Sequence, residues 1–377
     1  MKSQKEVGLF WRIKFRWLLV FVLLSACVDH LDITLPEVQP IMIIEGKITD
    51  DPGPYTVLIS KGVSLEDDSL LRVPIERAKI KLYDDLGNSE DMVENTPGEY
   101  MSTGVIRGQI GHSYHIGVEM ADGGVFISEP DLLSPVGEIE AIKYEFEARS
   151  IERPYIVEPA NIFKIFVDAK AIPGDKNYVR WKFTGTYKVI TRPELHTYYL
   201  QGVRISDPRP CSGYVVRPGS SQIVKVDECT CCTCWITEYE STPHLSDGQF
   251  ISGDSYKNVR IGDVQISTES FFEKYLVEAE QMSLSKNAFE FFSLVRKQKS
   301  EPSNIFQAPM GNIAGNISSS NSQIPYIGIF WATSIKTRSI YIERSAIPYN
   351  LPPPKFIPES CLAYFKNSST TKPPLWQ

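Results

Sequence analysis

Polar and apolar positions alternate with period two along much of the chain. Ala78, Ile80 and Leu82 interleave with Lys79 and Lys81, and Val179, Trp181 and Phe183 interleave with Arg180 and Lys182. Successive side chains on a strand leave opposite faces, so each stretch predicts a strand with one dry and one wet face. Ile41 to Asp50 and Tyr55 to Ile59 read as strands split by the turn Pro52-Gly53-Pro54, and Asp84 to Asn88 supplies turn chemistry. Gly98-Glu99-Tyr100 and Tyr114 to Val118 continue the meander. Short strands at this spacing predict a β-sandwich of roughly 90 to 100 residues over 41–135.

A second β-rich domain is expected over 136–348. It opens with Ile142, Tyr144 and Phe146 on one face. Its Cys-, Pro- and Gly-rich insertion, Thr191 to Ser255, lacks sustained periodicity and reads as loop-dominated and stapled. Tyr275 to Leu284 reads as a strand. Ser285 then offers an N-cap, and Ala288, Phe291, Phe292 and Val295 fall at i, i+3, i+4 and i+7 on one face of a helix near 286–299. That face is expected to pack on the second domain's sheet. Strands resume at Tyr326 to Ser334 and Ser339 to Arg344, and 349–377 reads as an extended tail. The fold class expected is therefore mainly β, a sandwich that resembles the transthyretin-like or immunoglobulin-like type, followed by a β-rich domain carrying one amphipathic helix.

The N-terminus changes the picture. Lys2, Lys5, Arg12, Lys14 and Arg16 precede an apolar run, Trp17 to Leu24, too short for a membrane span. Leu24-Ser25-Ala26-Cys27 then resembles a bacterial lipobox, which makes 1–26 a lipoprotein signal peptide, Cys27 the lipidation site and 27–40 an acylated tether. Several acyl chains at about 0.8 kcal/mol per buried methylene would hold the fold on a bilayer. Without the leader, 34 Lys+Arg face 45 Asp+Glu, a net charge of −11, and no basic block remains. Nucleic acid is thus not an expected partner.

Chemistry-bearing residues concentrate at Cys229-Thr230-Cys231-Cys232-Thr233-Cys234-Trp235. Four sulfurs this close suit a soft metal. An oxidising compartment instead favours disulfides, and with Cys211 and Cys361 the count beyond Cys27 is even. Disulfides are the expectation; pairing stays open, with metal and redox chemistry as alternatives. If Cys229 to Cys234 formed a strand, Cys229 and Cys231 would face opposite to Cys232 and Cys234.

Other constellations are weak. His112 and His115, three apart in a strand-like run, send their side chains to opposite faces; His30, His196 and His244 stand alone. Asp50-Asp51, Asp67-Asp68 and Asp84-Asp85 read as turns before calcium ligands. Tyr198-Tyr199 and Phe330-Trp331 read as core or strand packing before sugar-stacking platforms. No zinc-protease, nucleophile-elbow, phosphate-loop or dinucleotide motif occurs, and Gly111-His112-Ser113 has no helix after it to form an elbow. No catalytic residue, cofactor or metal is expected, and a hydrolase ranks third among the readings.

An ordered set of runs carries a family resemblance. After the lipobox come Ile44-Glu45-Gly46-Lys47-Ile48-Thr49-Asp50, Gly53-Pro54-Tyr55-Thr56-Val57, Gly98-Glu99-Tyr100 and Gly111-His112-Ser113-Tyr114. Later come Cys234-Trp235, Met282-Ser283-Leu284-Ser285 with Ala288-Phe289-Glu290-Phe291-Phe292, Gly311-Asn312-Ile313-Ala314-Gly315-Asn316-Ile317, Gly328-Ile329-Phe330 and Pro373-Pro374-Leu375-Trp376. Together these resemble the domain-of-unknown-function 4249 lipoproteins of Bacteroidota. The resemblance implies an outer-membrane lipoprotein, on the periplasmic or cell-surface face, encoded beside a TonB-dependent receptor and without established activity. Such proteins usually carry a tighter cysteine pair near the last Trp; here Cys361 stands alone, so its partner is left open. The function expected is a non-catalytic binding or accessory subunit of a TonB-dependent uptake system, the alternative a surface adhesin or structural module binding protein or glycan without a transporter.

Overall fold

The computed structural model describes residues 40–64, 70–153, 156–173, 178–248, 251–300, 315–321 and 325–376. The leader, Cys27, His30, all of the tether except residue 40, Asp67-Asp68 and Gly311 to Ala314 lie outside the described residues. Strands dominate, as the alternation predicts.

In chain order the first strands are β1 (Ile41–Thr49), β2 (Thr56–Ser64), β3 (Leu70–Pro74), β4 (Lys79–Asp84), β5 (Ser89–Thr96), β6 (Glu99–Met101), β7 (Ser113–Glu119), β8 (Val125–Ser128) and β9 (Asp131–Leu132). Then follow β10 (Ile139–Glu147), β11 (Ser150–Arg153), β12 (Ile156–Pro159), β13 (Ile162–Lys170), β14 (Val179–Ile190), β15 (Thr197–Leu200), β16 (Val203–Ser206), β17 (Tyr214–Val216) and β18 (Ile223–Lys225). The remainder are β19 (Thr233–Tyr239), β20 (His244–Ser246), β21 (Ile251–Ser252), β22 (Ser255–Gln265), β23 (Lys274–Ser283), α1 (Lys286–Ser300), β24 (Ile317–Ser319), β25 (Tyr326–Thr333), β26 (Ile335–Glu343), α2 (Cys361–Tyr364) and β27 (Ser368–Ser369).

The first sheet has 11 strands, ordered β24-β8-β7-β4-β5-β6-β2-β1-β25, with β3 on β2 and β9 on β7. Two layers were expected here; instead they are continuous through β5, which pairs with both β4 and β6, and the sheet is barrel-like. Ile44, Ile48, Val57, Leu82, Tyr100, Ile116, Phe126 and Phe330 fill its interior. One correction concerns the domain boundary. Strands β24 and β25, expected in 136–348, complete the first sheet, and β25 runs parallel to β1 from Met42–Tyr326 to Thr49–Thr333. Without β25 the edge of β1 would be left unpaired, and an open edge is a liability that a returning strand removes.

The rest is a sandwich of a four-stranded sheet, β10-β13-β22-β21, and a six-stranded one, β26-β23-β14-β19-β27 with β20 on β14. Phe163, Ile165 and Val167 of the first meet Trp181, Phe183 and Tyr187 of the second in one core. Ile142 is buried, whereas Tyr144 and Phe146 on the same face are only half covered, edge-on to Phe163. Buried polar groups inside are partnered: the Trp181 indole N–H donates to Gln281 Oε1 at 2.8 Å, and Gln281 Nε2 donates to the carbonyls of Gly137 and Lys170.

The stretch 191–255 departs from its loop reading, since it holds the hairpins β15–β16 and β17–β18 and the long-paired strand β19. The tail also departs from an extended course. It carries α2, capped by the Ser360 hydroxyl on the Leu362 N–H, and β27, which pairs with β19, and Trp376 is buried edge-on to Tyr341.

Candidate functional site

The alternation that fills the barrel interior also builds the floor of a cleft on its outside. Met42, Ile44 and Ile48 of β1 point inward, which turns Glu45 and Lys47 outward. The parallel register sets Ile329 beside Glu45 and Trp331 beside Lys47, and the antiparallel register sets Leu58 opposite Glu45. The floor is thus apolar with charged residues along β1.

Helix α1 forms one wall. Ser285 caps it as expected, accepting from the Ala288 N–H at 3.1 Å. Its apolar face is buried, partly on the expected sheet and partly beyond it: Ala288, Phe291 and Phe292 pack with Leu245 of β20, with Leu284 and also with Ile329 of the barrel strand β25. The Phe292 ring lies edge-on to Trp331 at 5.2 Å between centroids. The helix therefore bridges barrel and sandwich. The second wall is Arg180, on the wet face of β14, with the turn Glu240 to Pro243. The Arg180 guanidinium is paired with Glu240 and sits 4.5 Å from the centre of the Phe292 ring. The open cleft measures about 440 Å³, within the range of small-molecule sites.

Its charges are unevenly matched. Glu45 is taken by Arg72 at 3.0 Å, Glu240 by Arg180, and the nearby Glu280 by Lys182 at 3.1 Å. Lys299 donates to the Ser241 carbonyl at 2.6 Å and has no carboxylate partner among the described residues. Lys47 has neither hydrogen bond nor ion pair among them. Burial pushes the Lys47 ammonium below the usual lysine range, with Lys182 and Arg180 acting the same way and Glu280 and Asp51 opposing. Burial raises the Glu240 carboxyl, against the pull of Arg180. Two donors on lining residues, Trp331 Nε1 and Arg180 Nε, are buried without an acceptor among the described residues. The arrangement offers positive charge and N–H donors over an apolar shelf.

The cysteines lie elsewhere. Cys211 pairs with Cys231, Cys229 with Cys232, and Cys234 with Cys361, so the sulfurs are disulfides in this structure. Cys229 to Cys232 precede the strand, and only Cys234 has its expected strand placement, on β19 opposite Val189. Arg180 and Val189 stand nine residues apart on β14, which separates cleft and staple by about 30 Å at strand rise. The third disulfide pins the tail, helped by a two-pronged Arg209–Glu359 pair at 2.9 and 2.6 Å and by His196 Nε2 at 3.3 Å from Glu359.

The remaining candidates have local roles. His112 Nδ1 meets Asp85 at 2.9 Å, His115 stacks on Tyr83, and burial holds the His244 imidazole on β20 below the usual histidine range. Asp50 accepts from Ser334 Oγ and the Ile335 N–H, and Asp84 from the Leu86 and Asn88 N–H groups. Among the aromatics, Phe330 is core as expected. Trp331 packs from its strand against the α1 cluster and also lines the cleft, whereas Tyr198 and Tyr199 are exposed on the β15–β16 hairpin, Tyr199 at 72%.

Lys47 escaped sequence reasoning as a site residue, and Trp331 entered it as a sugar-stacking platform ranked behind packing. The signal present was the alternation around Ile44-Glu45-Gly46-Lys47, which marks an outward face; what covers that face comes from residues far away in the chain. Comparison with curated proteins and with solved structures finds no match. The sequence profile of one family, described as Domain of unknown function (DUF4249), matches residues 28–339, and the chain belongs to that family.

Proposed function

We propose that the chain is a lipid-anchored, non-catalytic binding or accessory subunit of a TonB-dependent nutrient uptake system at the outer membrane of a Bacteroidota cell. The observation that carries this reading is the cleft. Its apolar shelf and unmatched donors suit capture of a ligand. Among its described lining residues no hydroxyl is hydrogen-bonded to a histidine or carboxylate, the pairing that activates a hydroxyl nucleophile. The lipobox at Cys27 supports the anchoring, and the order of family runs supports the receptor association. Affinity capture from detergent-solubilised outer membranes tests it. A receptor barrel should co-purify, and recovery of none across several detergents would overturn the uptake reading.

One observation favours the adhesin or structural reading. The β15–β16 hairpin exposes Tyr198, Tyr199, Leu200 and Val203 around its tip, a patch of the kind that marks contact with protein or glycan. Loss of surface attachment in a Tyr198→Ser, Tyr199→Ser variant that still captures no receptor would select this alternative.

A further inference from the structure

We infer that the cleft between α1 and the barrel strands β1 and β25 is a site for an amphiphilic monocarboxylate, its carboxylate held by Lys47 and its apolar body laid on Trp331, Ile329 and Phe292. This deepens the binding reading above and rests on it.

The argument begins with Lys47. Placing an ammonium in a partly desolvated hollow is costly unless a counter-charge meets it. Three nearby carboxylates are engaged, Glu45 by Arg72, Glu280 by Lys182 and Glu240 by Arg180, while Glu280 and the exposed Asp51 still act on Lys47 through space. Among the described residues Lys47 forms no ion pair, and Lys299, hydrogen-bonded there to the Ser241 carbonyl, adds a second positive charge at the rim. Burial lowers the proton affinity of the Lys47 amine, and an anion bound beside it would oppose that shift.

Hydrogen-bond accounting points the same way. Buried donors are almost always satisfied, yet Trp331 Nε1 and Arg180 Nε are buried without acceptors, and both residues line this cavity. Lys47 and Trp331 are register partners on neighbouring strands and share the outward face, so one small ligand spans both. A carboxylate accepts at several lone pairs and matches this donor set. The rest of the lining, Leu58, Phe291, Phe292, Val295 and Ile329, is apolar, which a fully polar anion such as phosphate would leave unused. The volume of about 440 Å³ accommodates a small organic acid and excludes a folded partner.

Two sources present this chemistry: a free fatty or aryl acid, and the C-terminus of a peptide ending in an apolar residue. Isothermal titration calorimetry on the full-length protein in lipid nanodiscs, with octanoate and N-acetylphenylalanine as probes, separates them. Their neutral amides serve as controls. At least one acid should bind at least tenfold tighter than its amide. Lys47→Met should abolish that preference, about a tenfold loss as for a missing hydrogen bond between charged partners, and Lys47→Arg should restore it. Trp331→Phe, which keeps a ring and removes the N–H, should weaken the acid by a smaller factor. Octanoate or N-acetylphenylalanine as the better ligand identifies the source. Absence of binding by both acids at millimolar concentration, equal binding of acid and amide, or unchanged acid binding in a folded Lys47→Met protein overturns the inference. Receptor capture by the same preparation is an independent readout. A protein that captures the barrel but ignores both acids removes this inference alone, whereas one that does neither removes the uptake reading too.

Discussion

Asn316 is bonded through its side chain to both backbone groups of Phe330. Asn316 Nδ2 donates to the Phe330 carbonyl at 2.6 Å, and the Phe330 N–H donates to Asn316 Oδ1 at 2.9 Å. A carboxamide here takes the place of a neighbouring strand's peptide. The Asn316 carbonyl meanwhile accepts from the Glu129 N–H just beyond β8, so a single residue joins the two ends of the first sheet. Backbones approach closely beside it, since a Cβ on Gly315 would lie 1.6 Å from the Gly328 carbonyl oxygen. Asn316→Ala would leave a buried donor and a buried acceptor unsatisfied, at a cost of about 1 to 3 kcal/mol each. Urea denaturation should show a loss in this range; a change under about 0.5 kcal/mol would mean the sheet closes without it.

Phe292 is 7% exposed and held between Trp331 and the Arg180 guanidinium. Truncation to Ala should cost about 3 to 5 kcal/mol. Because α1 bridges barrel and sandwich, the loss should also loosen their coupling, visible as a second thermal transition. One sharp transition with a loss below about 1 kcal/mol would show the bridge to be dispensable.

Local rules made part of this legible. Trp181 and Arg180 differ by one position and go to opposite faces, as period two requires, and the Ser285 cap with its i, i+3, i+4 pattern located the helix. What local rules do not carry is pairing between distant segments. Nothing near Lys47 signals that Trp331 becomes its parallel neighbour, nor that Phe292 would meet the barrel as well as the sandwich. An apolar helix face declares burial without naming its partner. Compartment chemistry anticipated the disulfides, while Cys234 finding Cys361 depended on the tail returning to β19.

The tail contact should respond to acid. The Arg209 guanidinium holds the Glu359 carboxyl below the usual glutamate range, with burial opposing and His196 assisting. A carboxyl whose folded value lies below its unfolded value of about 4.3 stabilises fully above the unfolded value and ceases to do so as pH falls through the folded one. Hydrogen exchange of the amides around Ser360 to Phe365 should therefore speed up below about pH 4, beyond the intrinsic rate, and Glu359→Gln should abolish that step. An identical pH profile in Glu359→Gln would assign the change to other groups.

The proposed lipid anchor would sit on the Cys27 thiol, and among the described residues the first strand begins at Ile41. Cys27→Ala should leave the fold intact, by circular dichroism, while releasing it from the membrane fraction. Continued sedimentation after a high-salt wash would contradict the lipid anchor.

The three disulfides should differ in worth by the loops they close. Their sequence separations are 127 for Cys234–Cys361, 20 for Cys211–Cys231 and 3 for Cys229–Cys232. Chain-entropy estimates scale with the logarithm of loop length and give about 5, 3 and 2 kcal/mol in that order. Paired Cys→Ser changes, which leave no stray thiol, should follow the same ranking in denaturant. The Cys234–Cys361 pair should cost most, since both half-cystines are fully buried and also anchor the tail. Intact-mass analysis after alkylation without reduction checks the premise, because none of these six thiols should take up label in natively purified protein. Six labelled thiols together with a stoichiometric soft metal would make Cys229 to Cys234 a metal site, and a ranking inverted in favour of Cys229–Cys232 would show that native-state geometry outweighs loop entropy.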